Sequence, residues 1–239
     1  MPKFFISPAD ICGDEISLTG EDVRHIRKVL RHKAGDTLNL SDGCGTDFSA
    51  TITELSPDKV TLKITSTQPS DSEMSVSVTL FQCIPKSGKM DFITQKCTEL
   101  GVSSIVPVES AHIVGKLESP QKIARYQKIA QEAAKQCGRG VIPSVEKPVS
   151  LSEAVARFAE FDLAVMPYEG AKEGSLKEAL TQKVKSIALL IGPEGGFAPE
   201  EVSLAKENGA RIVTLGKRIL RTETAGCATL AMILYEMDL

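Results

Sequence analysis

The chain has 239 residues, 42% hydrophobic and 25% charged, with a formal net charge of −3. This is ordinary globular composition, enough for one large domain or two smaller ones, and no apolar run reaches the roughly 20 residues needed to span a bilayer. On totals alone a polyanion is an unexpected partner, so the local placement of charge has to decide.

The opening segment "MPKFFISPADICGDEIS" lacks the long apolar stretch of a signal peptide and reads as the first strand of a cytoplasmic protein. The short alternating runs "KFFIS", "DTLNLSDG", "DFSATITEL" and "KVTLKITST" follow, separated by turn residues. One helix, about 20–32, interrupts them. Several short strands with one helix predict a small β-barrel. "QPSDSEMS" (68–75) is polar and aperiodic and reads as a linker, which places the domains at 1–72 and 73–239.

Strand and helix then alternate. "VSVTLFQCI" reads as a strand and "KMDFITQKCTELG" as a helix closed by Gly101. "VSSIVPVES" is a strand, and "SPQKIARYQKIAQEAAKQCGR" a long helix with Ser119 as cap and Pro120 in the first turn. "FDLAVMPYE" and "SIALLIGP" are strands, "PEEVSLAKENGA" a helix, "RIVTLG" a strand and "TETAGCATLAMILYEM" a final helix. The pattern predicts an α/β domain with a mostly parallel sheet. The final helix is apolar almost all round, as in a core or an oligomer interface.

None of the six cysteines is paired as CxxC, and free buried thiols are expected. His25, His32 and His112 lack the spacing of a metal site, so no metal is expected.

Charge is less evenly spread than the total implies. Projected at 100° per residue, Arg24, Arg27, Lys28 and Arg31 form a stripe beside Val23, Ile26 and Leu30, with no acidic residue from Val23 to Gly35. Arg125, Lys128, Lys135 and Arg139 share a face of the long helix, with Glu132 among them. Lys86 and Lys89 sit in "PKSGK", which lacks P-loop spacing. These ten side chains are the candidate contacts to the phosphates of a polyanion.

Two segments follow strands and are unusual. In "IGPEGGFAPEEV" (191–202) the pair Gly195 and Gly196 lets backbone approach a ligand, and Glu194 is held beside Pro193. In "LGKRILRTETAG" (215–226) Arg218, Arg221 and Glu223 enter a region that should be dry. Either the second loop carries an internal Arg–Glu pair, or both loops form the wall of an active site. Three readings stand at this point: an RNA-modifying enzyme, a small-molecule α/β enzyme, and a non-catalytic RNA-binding or assembly factor.

"FQCIPKSGKMDFITQKCTELGV", "KIAQEAAKQCGR", "IGPEGGFAPEEV" and "LGKRILRTETA", with "LTGEDVRHIRKVLRHKAGD" earlier, together resemble the RsmE family. Its members are bacterial small-subunit ribosomal RNA uridine-N3 methyltransferases of the SPOUT class. Cys97, Tyr126 and Lys3 depart from the family's usual residues.

The resemblance implies a PUA-like β-barrel followed by a SPOUT domain with a deep trefoil knot. It implies a homodimer that binds S-adenosylmethionine (SAM) and methylates one uridine of 16S rRNA in the small ribosomal subunit. The cofactor residues would be Leu190, Gly192, Pro193, Gly195, Gly196, Leu215, Gly216, Arg218, Ile219, Leu220, Thr224 and Ala225. Glu194 would be the base or orient it, Arg221 would be the cation beside the uracil oxygens, and Glu223 is the alternative base.

Overall fold

The computed structural model describes residues 3–86, 88–112, 119–180 and 183–237. They form two compact units. One runs up to Glu73 and includes Ala134–Ile142; the other holds Met74–Ala133 and Pro143 onward. The expected boundary after residue 72 omits the excursion, in which the last turn of the long helix and the loop behind it cluster with the first unit.

The first unit contains β1 (Phe4–Phe5), β2 (Ile11–Cys12), β3 (Glu15–Thr19), α1 (Glu21–Arg24), β4 (Thr37–Ser41), β5 (Thr46–Leu55) and β6 (Lys59–Pro69). They make one sheet in the order β1-β4-β5-β6-β3-β2, antiparallel except for β1 beside β4. Among the described residues β1 and β2 are the two ends of this order, with no strand pairing between them to close the expected barrel. Alternating residues face one core: Ile16 and Leu18, Leu38 and Leu40, Ala50 and Ile52, Val60 and Leu62. Val23 of α1 and Ile26, in the turn that follows it, cover this core.

The expected helix over 20–32 is shorter. Gly20 precedes it at φ 73, and after α1 the turn widens to π geometry at His25–Val29. Arg31 then takes φ 58 and ends it. A residue other than glycine in this region is strained.

The second unit contains β7 (Ser77–Cys83), α2 (Lys89–Glu99), β8 (Ser104–Glu109), most of α3 (Pro120–Cys137), β9 (Ser144–Val145), β10 (Val149–Ser150) and α4 (Leu151–Ala156). It continues with β11 (Leu163–Pro167), α5 (Leu176–Ala179), β12 (Ser186–Ile191), α6 (Pro199–Glu207), β13 (Ala210–Val213) and α7 (Thr222–Met237). The sheet order is β10-β8-β7-β12-β11-β13, with β9 also beside β8, and every pair is parallel. β7, β8, β11 and β12 are buried nearly throughout, as expected of strands covered on both faces. One apolar cluster lies against each face.

The sequence reading missed α4 and α5. Both start on capping boxes, "SLSE" at 150–153 and "SLKE" at 175–178, in which Ser150 and Ser175 accept from the amides of Glu153 and Glu178. α7 is not buried all round. Thr222, Gly226, Thr229, Leu230 and Ile233 face inward, while Met232 and Tyr235 are 43% and 72% exposed.

Candidate functional site

In a parallel sheet the loops that leave the strands' carboxyl ends share one edge, and four of them build the site. They follow β7, β11, β12 and β13. The turn after β12 is Gly192–Gly196, closed by the Gly196 amide donating to the Pro193 carbonyl at 3.1 Å, with Gly196 at φ 68. At Gly192 a Cβ would sit 2.8 Å from the Phe197 ring, so this position has no room for a side chain. Glu201 locks the approach to α6, accepting from the Ala198 amide at 2.8 Å and the Ala111 amide at 2.7 Å.

A buried chain of hydrogen bonds joins this turn to the next loop. Gln82, fully buried in β7, donates to Thr222 Oγ1 at 2.9 Å, and Thr222 donates to the Gly192 carbonyl at 2.6 Å. The start of α7 is thereby fixed against the glycine turn.

Between the loops lies a cup that is open to solvent on one side. Its wall includes Gly192, Pro193, Gly196, Leu215, Gly216, Arg218, Ile219, Leu220 and Ala225, nine of the expected cofactor residues. The structure moves the other three. Leu190 is wholly buried in the sheet rather than on the wall. Gly195 lines an adjoining cleft. Thr224 is exposed on α7 and lines neither space; the threonines in the cup's wall are Thr214 and Thr222. The reading missed Tyr168 and Glu169, which line the cup from the end of β11. "MPYE" carried a signal for them, because it ends a parallel strand next to β12.

The adjoining cleft holds Glu194 and Arg221 together with Lys89 and Glu169. Lys89 Nζ lies 2.9 Å from Glu194 Oε1 and 3.2 Å from Glu223 Oε2, the latter off a good hydrogen-bond angle. The Lys86 amide adds a bond to Glu194 Oε1 at 3.1 Å. Partial burial alone would raise the Glu194 pKa. The Lys89 hydrogen bond and backbone amides outweigh it and hold the carboxyl below its ordinary value. The Lys89 ammonium is pushed the other way, chiefly by its bonds to Glu194 and Glu223. Lys89, expected as a phosphate contact, begins α2 and bridges both candidate catalytic carboxylates.

The basic stripes divide as well. Arg24, Lys28 and Arg31 are exposed and Arg27 half-buried, and none is ion-paired among the described residues. Arg125 is exposed but paired with Asp91; Lys128 is exposed. Lys135 is not open to a ligand: it pairs with Asp22 and covers the Phe4 ring. Arg139 lies beyond α3, is 4% exposed and is bound to Glu73. Helical projection missed both partners because they are distant in sequence.

Comparison with known proteins adds to this geometry. A family model described as an RNA methyltransferase domain matches residues 72–234, and one described as an RNA methyltransferase PUA domain matches 18–65. The chain is 34% identical to ribosomal RNA small subunit methyltransferase E of Bacillus subtilis, over 93% of this chain and 91% of that one. It is 32% identical to the enzyme of that name from Synechocystis, over 97% and 76%. A crystal structure of ribosomal RNA small subunit methyltransferase E from Neisseria gonorrhoeae, bound to S-adenosyl methionine, is 33% identical and covers 98% and 97% of the two chains, with a TM-score of 0.88. An α/β domain preceded by a PUA domain, with sequence similarity along nearly its whole length, places this chain in the ribosomal RNA small subunit methyltransferase E family.

Proposed function

We propose that this protein transfers a methyl group from SAM to N3 of one uridine of 16S rRNA in the small ribosomal subunit. It would act as a cytoplasmic homodimer whose second unit is a SPOUT domain with a deep trefoil knot. The cup carries the reading. Its wall joins glycines and apolar side chains with a few polar groups, Glu169, Arg218 and Thr222 among them, and a structural relative of the same family binds SAM. Phe197 against Gly192 shapes a cradle that a side chain would fill.

Held by the cup's wall, Gly192, Gly196, Leu215, Gly216 and Leu220 among it, SAM would supply an electrophilic methyl carbon whose bonding pair to sulfur would stay on sulfur as the N3 lone pair replaced it. The protein's task is to bring N3 to about 3 Å from that carbon and to remove the N3 proton. Glu194 accepts that proton at a carboxylate oxygen, with Glu223 as the alternative, and Arg221 faces the uracil oxygens. Arg24, Arg27, Lys28 and Arg31, with Lys86, Arg125 and Lys128, contact RNA phosphates. No helix among the described residues is long and apolar enough to cross a membrane.

The test is mass spectrometry of 16S rRNA from a deletion strain and its parent, with purified protein and SAM then added to the deletion strain's subunits. Loss of one N3-methyluridine and its restoration in vitro are expected. An unchanged rRNA, or subunits bound but never methylated, would favour the non-catalytic binding reading.

A further inference from the structure

We propose that Lys89 is a catalytic residue, an ammonium that hydrogen-bonds a carbonyl oxygen of the target uracil and stabilises the anion formed at N3. The inference rests on the function proposed above.

Lys89 is the first residue of α2, an 11-residue helix. A cation is disfavoured at a helix N-terminus, where the backbone dipole is positive. It is held there by ion pairs with two carboxylates, Glu194 at 2.9 Å and Glu223 at 3.2 Å. The side chain is 27% exposed and lines the cleft that also holds Arg221 and Glu194.

A lysine serving only as a phosphate contact would stand clear of acids. Here two carboxylates within 3.2 Å would repel a phosphate. A neutral base faces no such repulsion until it ionises, and its carbonyl oxygens are ready acceptors.

Uracil N3–H lies between two carbonyls. When the proton leaves for a Glu194 oxygen, and from there for solvent, the charge left behind spreads over N3 and both oxygens. Glu194 is held below the ordinary carboxyl range and is a weak acceptor, so the proton leaves readily only if the anion is stabilised. Lys89 at one carbonyl and Arg221 at the other supply that stabilisation, as donors in an oxyanion hole do.

The test is single-turnover methylation by Lys89→Met and Lys89→Arg on small subunits assembled with either uridine or 5-fluorouridine rRNA, at several pH values. Fluorine at C5 makes N3–H more acidic. Glu169, Glu194, Arg221 and Glu223 are the charged groups around the lysine, and all are unaltered in both variants.

Lys89→Met is expected to lower the rate on uridine subunits roughly 100- to 1000-fold while leaving subunit affinity nearly unchanged. The deficit should shrink on 5-fluorouridine subunits and as pH rises, and Lys89→Arg should recover part of the rate. A rate close to that of the unaltered protein would overturn the proposal. So would a loss of equal size on both substrates at every pH, which marks a structural role, or lost affinity with an intact rate, which marks a phosphate contact. If the unaltered protein makes no N3-methyluridine, the proposed function falls first and the role of Lys89 with it.

Discussion

Arg31 shows how far single residues were legible. Its charge and its place in an acid-free stretch were plain, so it was expected on a helix face. Its backbone was not: it takes φ 58 just after Leu30, the position where helices favour glycine. Arg31→Gly is therefore expected to stabilise the first unit by about 1 kcal/mol, by relief of left-handed strain. It should also weaken binding to small subunits and reduce the salt dependence of log K by roughly one unit. Calorimetric melting and a salt titration of binding check the two halves; a variant both less stable and equally tight would refute the assignment. Gln82 and Lys89 mark the opposite limit. Nothing near them in sequence announces Thr222 or Glu223, because those contacts exist only once distant loops are folded together.

At the level of elements, hydrophobic period and turn residues located the long strands and helices, since each is set by local pattern. Gly101 and Gly209, both in the left-handed region, end their helices as read. The short α4 and α5 fell below that signal, although their capping boxes were present. The excursion 134–142 was invisible because tertiary contacts alone define it. Glu73 anchors it: Arg139 Nε donates to Oε2 at 3.1 Å, and the Gly140 and Val141 amides to Oε1 at 3.0 and 3.1 Å. Burial alone would raise the Glu73 pKa, but Arg139 and those amides outweigh it and hold it below 4.5. A carboxyl whose folded pKa is depressed stabilises above the unfolded value and loses that contribution as pH falls through the folded one. Glu73→Gln should thus cost about 2–3 kcal/mol at pH 7, less than the roughly 3–5 of a fully buried pair because Glu73 retains some exposure. The gap between the two proteins should be full at pH 7 and close as the pH falls below 4.5. Denaturant melts in both pH ranges measure it, and a gap independent of pH would show that the ion pair is not its source.

For the molecule as a whole, alternation of strand and helix was enough to give the parallel α/β class, and short strands around one helix gave an all-β first unit. A knot leaves no local trace in a sequence, since it depends on the order in which loops pass one another. The proposed self-association would leave a partial one, in α7. The helix is more apolar than one buried face requires. Its outward side, with Leu176 and Leu180 of the α5 region, forms a surface of Ala228, Ala231, Met232 and Tyr235 edged by Lys177 and Glu236. Apolar area of this kind stays exposed only at a cost, and a second copy of the chain, as in the proposed homodimer, would remove it from water. In a two-fold interface each substitution acts twice, so Met232→Glu places two like charges in one apolar contact. The variant should dissociate to monomers at concentrations where the unaltered protein is dimeric, with dimer affinity reduced at least about 100-fold. Its circular dichroism should be unchanged, because Met232 lies outside the core of the second unit. Sedimentation of both proteins over a concentration series decides the matter: a variant that remains dimeric would move the interface away from this face, and an unaltered protein that sediments as a monomer would remove the homodimer itself.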